Sequence, residues 1–338
     1  MRMTSPNTLP ANTSDRNSLF RANLAGRYRI DTLFATATWT AIAIAILVLA
    51  ALLFDVLSDG LGSLSWSFLT STSHYKPEKS GLITAFFGTI WVMGVVAAFA
   101  FPIGVGSGIY LEEFSQEKLF SKATQFFTLW FFPSSPWRHK LERWSEGFET
   151  LTLQIIEINI NNLAGVPSII YGLLGLHVFV RIMEPVTGGR TVLAGGLTLA
   201  LLILPIIIVS TREALRTVPD SLRQAGFALG ATRWQVLWEQ VLPLALPGIL
   251  TGTILALSRA IGETAPLLIL GALGLITKSP SSLQSKFTVM PIQIYQWISE
   301  PKEAFHNLGA AGIIVLLVAL LLMNASAVFL RNKLQKRI

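Results

Sequence analysis

Residues 33–54 read LFATATWTAIAIAILVLAALLF, 22 positions without a charged side chain. About 20 apolar residues in a helix cross a hydrocarbon core about 30 Å thick. A charge-free run of this length exceeds what a buried helix of a soluble domain needs, and lipid is the solvent that suits it. Residues 82–103 repeat the pattern over 22 positions and residues 311–330 over 20. Residues 191–211 form a fourth block, with Pro205 late in it, where a neighbouring helix or hydroxyl can satisfy the freed backbone groups. Residues 158–180 are diluted by Asn159, Asn161, Asn162, Gly165 and Pro167, which predicts a span facing other helices rather than lipid. A sixth block, residues 247–270, carries Arg259 and Glu263 inside it. The predicted fold is an all-α integral membrane protein with six transmembrane helices.

Composition agrees. Of the 338 residues 52 % are hydrophobic and only 13 % charged, where a soluble domain averages about 25 % charged. The net charge of +7 would suggest nucleic acid on a soluble face, but the basic residues flank the apolar blocks, so no nucleic-acid partner is implied and membrane lipid is. The chain has no cysteine, which removes disulfides, thiolate metal sites and a cysteine nucleophile. His74, His139, His177 and His306 show no metal-ligand spacing, and no cofactor is implied. There is no G-x-x-x-x-G-K-[ST], so ATP hydrolysis through a P-loop of this chain is excluded. A membrane protease lacks its H-E-x-x-H or intramembrane aspartate pair here.

Six spans put both termini on one side, and positive charge says which. Of the 26 Lys and Arg residues, 18 fall in residues 1–32, 111–150, 211–246 and 331–338; seven fall in 55–81, 181–190 and 271–310. The last is Arg259. Both termini are therefore predicted cytoplasmic. The organisation is a cytoplasmic basic tail at 1–32, a first transmembrane helix at 33–54, a core of five transmembrane helices at 82–330, and a cytoplasmic tail at 331–338. Within the core lie a cytoplasmic insertion at 117–150 and a loop at 217–247. The insertion holds FFTLWFF at 126–132, too short to span; an interfacial segment with Trp130, Trp137 and Trp144 at headgroup level and a packed hairpin both fit.

The loop reads TVPDSLRQAGFALGATRWQVLWEQVLPLALP. Pro219 and Asp220 suit a helix start, and Ser221 with Gln224 has the capping-box spacing. Leu222, Ala225 and Leu229 share a face, and Gly230 stands where a left-handed cap ends a helix. Thr232 and Gln235 repeat the capping box. Trp234, Leu237, Trp238 and Val241 then fall at i, i+3, i+4 and i+7, a second amphipathic helix that Pro243 and Pro247 are predicted to break. Helices this short are marginal alone, so their apolar faces dock on something: the protein's own spans, or a partner.

Arg259 lies 12 residues after Pro247, about 18 Å along a helix and near the middle of the bilayer, with Glu263 at i+4. A charge at that depth costs at least about 2.5 kcal/mol on insertion scales. Two roles use this geometry: an internal salt bridge, or an anion path in which a guanidinium fork faces an oxyanion.

The order QAG at 224–226, Gly230, Gln240 and Leu242-Pro243 resembles the cytoplasmic signature loop of ABC-importer permeases, written EAA, then G, then I-x-L-P. Gln224 stands for Glu, Gly226 for the second Ala and Gln240 for Ile. NLAGVPSIIYGLLGL at 162–176, LTLALLILPIIIVSTREALRTVP at 197–219 and ILALSRAIGETAPLL at 254–268 are similar to phosphate-specific permeases, the A-type subunit more than the C-type. The likeness runs from about residue 81 to the C-terminus, and residues 117–150 are atypical of it. What the resemblance implies is the type I importer permease fold and ATP-driven uptake of inorganic phosphate across a bacterial plasma (inner) membrane. It also implies three partners: a second permease subunit, an ATPase homodimer and an extracytoplasmic phosphate-binding protein. Gln224, Ala225, Gly226, Gly230, Trp234, Leu242 and Pro243 then belong to the ATPase-coupling loop, and Ser258, Arg259 and Glu263 to the substrate pathway. A permease for sulfate or molybdate is the alternative within the class. A passive channel would have no use for docking helices.

Overall fold

The computed structural model describes residues 24–114, 155, 158–160, 162–271, 274 and 276–335. The N-terminal 23 residues of the predicted tail and the whole predicted insertion lie outside them. The chain divides into two units, residues 1–55 and 56–338.

The first unit is dominated by α1, Leu24–Leu61, which continues beyond it. Its hydroxyls are satisfied within the helix: Thr32 donates to Tyr28 O at 2.7 Å, and Thr38 and Thr40 donate at 2.8 Å to Phe34 O and Thr36 O. Such back-bonding is what a hydroxyl requires in hydrocarbon, where water is absent.

The second unit begins with a short helix, α2, Trp66–Thr70, capped by Ser65 Oγ accepting from Phe68 N. Then follow α3, Ile83–Phe114, whose last five residues form a π turn, and α4, Ser168–Ile182, whose last seven are π-helical. After α5, Glu184–Thr187, come α6, Val192–Arg216, and α7, Asp220–Ala228. The series closes with α8, Arg233–Gly262; α9, Ala265–Leu270; α10, Met290–Ser299; and α11, Glu303–Gln335. Five of these helices, α1, α3, α6, α8 and α11, are long and apolar enough to cross a membrane.

α6 is the central helix of the second unit. Two thirds of its most apolar window is buried (67 %), against 28 % for α3 and 33 % for α8. α3 and α8 flank it through small residues, because helices in lipid gain from packing and not from hiding apolar surface from water. A Cβ at Gly104 of α3 would lie 2.7 Å from Ile207 Cγ2, and one at Gly252 of α8 would lie 2.3 Å from Ser210 Cβ. At the N-terminal end of α3, Phe68, Leu82, Met290, Trp297 and Phe305 form a separate cluster that ties α2 and α10 to α11.

Three sequence expectations need correction. The predicted span at 158–180 is not one helix: the backbone turns at 164–167, and α4 starts only at Ser168 after Pro167. Its 15 residues reach about 22 Å, less than the bilayer core. Pro167 lacks the N–H that would continue the ladder, and the Leu163 carbonyl instead accepts from Val166 N at 3.2 Å and from the Tyr171 hydroxyl at 2.8 Å. Pro243 and Pro247 do not break the second loop helix, because α8 runs through both. A π turn at Leu237–Val241 precedes Pro243, and Leu242 N donates five residues back to Leu237 O, so the proline meets a ladder already shifted in register. The block at 247–270 is in turn interrupted after Gly262, where Glu263 is extended (φ −75, ψ 116) before α9 begins.

Candidate coupling loop and intramembrane ion pair

The loop between α6 and α8 is built from local signals. α7 starts at Asp220 with Pro219 as its N-cap, which puts Ser221 inside the helix, so the predicted capping box with Gln224 does not form. Asp220 instead places its carboxylate in the first turn, favourable to the helix dipole. At the other end Gly230 has φ +80; its N–H donates to Phe227 O at 2.9 Å and Ala231 N to Gly226 O at 3.1 Å. These two bonds make a Schellman end. The second capping box is present as read: Gln235 N donates to Thr232 Oγ1 at 3.3 Å, and Thr232 N to Gln235 Oε1 at 2.8 Å.

The departure from the signature at Gly226 has a packing reason. A Cβ there would lie 2.6 Å from Val236 Cγ2, so glycine lets α7 close onto the start of α8. Gln224 and Ala225 are exposed, while Leu242 and Pro243 are half-buried where α8 straightens. The predicted apolar face of the second helix is divided. Val236, Leu237 and Val241 are buried with Leu215, Val218 and Ala245, whereas Trp234 and Trp238 remain 57 % and 52 % exposed. The two indoles meet edge to face at 5.6 Å, and Phe227 and Leu229 of the same loop are exposed as well. One side of the loop thus docks on the protein's own helices, and the other presents aromatic surface outward.

Beneath the loop lie two residues the sequence reading passed over, Glu112 and Glu113 in the π turn that ends α3. Glu112 accepts from Arg212 Nε at 3.1 Å and Arg216 Nε at 2.9 Å, both on α6. Glu113 accepts from Arg223 Nη2 at 2.7 Å and Nε at 3.1 Å, on α7. Arg233, which opens α8, donates to the Glu113 backbone carbonyl at 3.2 Å. The hydrogen bond to Glu113 pushes the Arg223 guanidinium pKa above its already high ordinary value, against the opposing effect of burial. The available signal was an acidic pair closing one span and an arginine-rich stretch closing another; nothing local joined them.

Within the apolar helices, Arg259 Nε and Glu263 Oε1 are 3.2 Å apart, the i, i+4 pair expected from the sequence. Glu263 is the more enclosed, 17 % exposed against 51 % for Arg259. Arg259 uses Nε on Glu263, and its two Nη groups have no hydrogen-bond partner among the described residues. The break after Gly262 packs on α4, where a Cβ at Gly172 would lie 2.7 Å from Pro266 Cα. Ser258 does not join the pair. Its hydroxyl bonds Ile254 O and the side-chain amide of Asn324 on α11.

Comparisons with known proteins bear on both regions. A family model described as binding-protein-dependent transport system inner membrane component matches residues 151–338. The phosphate transport system permease protein PstA of Haemophilus influenzae is 29 % identical over 287 residues, covering 85 % of this chain and 88 % of that protein. PstA 1 of Mycobacterium tuberculosis is 29 % identical over 309 residues, with 89 % and 90 % covered. A probable ABC transporter permease, YqgI of Bacillus subtilis, is 28 % identical over 314 residues, with 88 % and 93 % covered. Among solved structures, the inward-facing MetNI methionine ABC transporter aligns with TM-score 0.53 at 19 % identity, over 75 % of this chain and 95 % of that one. That likeness is one of fold, the fold of a type I importer permease.

Proposed function

The chain belongs to the binding-protein-dependent transport system inner membrane components, and from that premise we propose that its substrate is inorganic phosphate. It is a multi-pass permease of an ABC importer in the bacterial inner membrane. ATP is hydrolysed by an ATPase homodimer seated on the loop at 217–247, phosphate is delivered by an extracytoplasmic binding protein, and a second permease subunit completes the path. Both termini and the loop are cytoplasmic in this arrangement. Relatives named as phosphate permeases over most of their length support the substrate.

The observation that carries the reading is the ion pair at the break after Gly262. A charge within a bilayer costs about 2.5–3.5 kcal/mol on insertion scales, which argues for a role beyond filling space. Arg259 keeps its two Nη groups for a ligand while Nε rests on Glu263. A guanidinium presents a planar fork to tetrahedral oxyanions and does not lose its proton. Phosphate near neutral pH retains a P–OH donor that the Glu263 carboxylate accepts, and fully ionised sulfate has none. With the path empty, Glu263 holds Arg259 in place; with phosphate present, the pair opens to donate and accept. Binding remains weak enough for release, as permeation requires. Ser258, engaged with Asn324, acts by holding α8 on α11.

The test is phosphate uptake by the assembled importer. Arg259→Gln should abolish or severely reduce uptake with the complex still in the membrane, and Arg259→Lys should restore only part of it, because an ammonium lacks the fork. Parental uptake in Arg259→Gln would leave the pair a packing element. Competition of uptake by sulfate or molybdate as strong as by phosphate itself would move the substrate to another oxyanion.

A further inference from the structure

We infer that Glu112 and Glu113 form a bracket that makes the coupling loop move as one body with the transmembrane helices, and that Glu113 with Arg223 is its decisive joint. The inference rests on the permease reading above and adds positioning residues to it.

A loop that relays force has to be rigidly attached, and α7 is not attached by apolar burial: none of its residues is buried. What holds it to α3 is Arg223. Its Nε and one Nη2 proton go to Glu113, the other Nη2 proton to Leu215 O at 3.0 Å, and Nη1 to Val218 O at 2.8 Å and Asp220 Oδ1 at 3.0 Å. All five guanidinium donors are thereby used. Two of the acceptors are backbone carbonyls at and just beyond the C-terminal end of α6: Leu215 O, which also accepts from Val218 N at 3.2 Å, and Val218 O. Arg223 and Glu113 are 15 % and 16 % exposed, so water competes with this pair far less than with a surface ion pair. Around it, Glu112 binds two arginines of α6 and the Glu113 carbonyl binds Arg233 at the start of α8.

The end of α3, the end of α6, all of α7 and the beginning of α8 therefore converge on two adjacent carboxylates. A cavity of about 420 Å³ lies among Glu112, Glu113, Arg216, Arg223 and Arg233; Phe114, Leu215, Val218 and Val236 pack the end of α3, the end of α6 and the start of α8 together, whereas no residue of α7 is buried. That leaves the ionic bracket as the stiff connection between α7 and α3. A displacement imposed on the exposed face of the loop then reaches α3 and α6 directly, and α8 carries it toward Arg259.

The experiment uses the full importer, purified with its ATPase and partner permease, in liposomes with its binding protein. Glu113→Gln keeps the shape and removes the charge; Arg223→Lys keeps the charge and removes the five-donor fork. The readouts are ATPase co-purification, ATP hydrolysis and solute taken up per ATP. The bracket predicts that both variants assemble and hydrolyse ATP near the parental rate, while uptake per ATP falls about tenfold in Glu113→Gln and less in Arg223→Lys. Parental uptake per ATP in both variants overturns it. If Glu113→Gln fails to assemble, Glu113→Cys with Arg223→Cys, in a chain without native cysteine, is bridged by a short bifunctional thiol reagent. Recovery of coupled uptake on bridging supports a mechanical joint, and continued uncoupling refutes it. A parental importer that carries a different solute would refute the phosphate reading alone, because uptake of that solute per ATP still reports the bracket.

Discussion

Gly230 offers a clean test of whether the loop's shape matters to the ATPase. Its φ is +80, and a Cβ at this position would meet nothing within 4 Å. Within the chain a Cβ at Gly230 has room, so the strain of Gly230→Val there is that of the backbone conformation. The left-handed region costs an L residue about 1–2 kcal/mol, and a β-branched residue belongs at the upper end of that range. If the conformation described is the one the ATPase binds, the cost comes out of the population of competent loop. At about 1.4 kcal/mol per factor of ten, ATPase affinity falls about 5- to 30-fold. The assay is titration of the ATPase subunit onto the permease pair in nanodiscs, with insertion of the spans checked in parallel. Gly230→Asn is the control, since asparagine visits the left-handed region readily and should lose clearly less affinity than valine. Parental affinity in Gly230→Val, or equal losses for asparagine and valine, would refute the argument from the Schellman end to docking.

Trp234→Ala should weaken ATPase association by about 2 kcal/mol, the scale of an interface hot spot, while spans insert normally; co-purification of the ATPase from membranes measures it. Retention of full coupling would return the exposed indoles to a role without a partner. A cysteine placed by Thr232→Cys, the only thiol in the chain, should react with an impermeant maleimide only after the cells are opened. Labelling in intact cells would invert the proposed topology.

Parts of this site were legible because their energies are local. The Thr232 capping box and the left-handed Gly230 each depend on residues within a few positions, and both appear as read. The capping box at Ser221 failed for an equally local reason, the helix beginning two residues earlier than the pattern assumes, with Pro219 and not Ser221 as its N-cap. The amphipathic face of the second loop helix did not stay together: Trp234 already parts from Leu237 ahead of the π turn at Leu237–Val241, and Trp238 parts from Val241 within it. Leu237 and Val241 went inward, and Trp234 and Trp238 stayed out. The ion pair Arg259–Glu263 survived a wrong assumption of its own: the four-residue spacing brings the charges together although the helix stops at Gly262.

The sequence by itself determined that this chain lives in lipid and where its long apolar helices run. The water-to-hydrocarbon preference of 20 consecutive side chains is a sum of local terms that no tertiary contact overrides. It also determined the caps and turns, whose hydrogen bonds close within a few residues. Tertiary structure alone decided which helix is central, since the glycines of α3 and α8 become contact points only when α6 lies against them. It alone decided that Ser258 answers Asn324, 66 positions away. And it alone brought Glu112 and Glu113 to Arg212 and Arg223, separations of 100 and 110 residues. Ion pairs over such separations have no period or spacing in the chain, because their energy exists only once the intervening helices have packed.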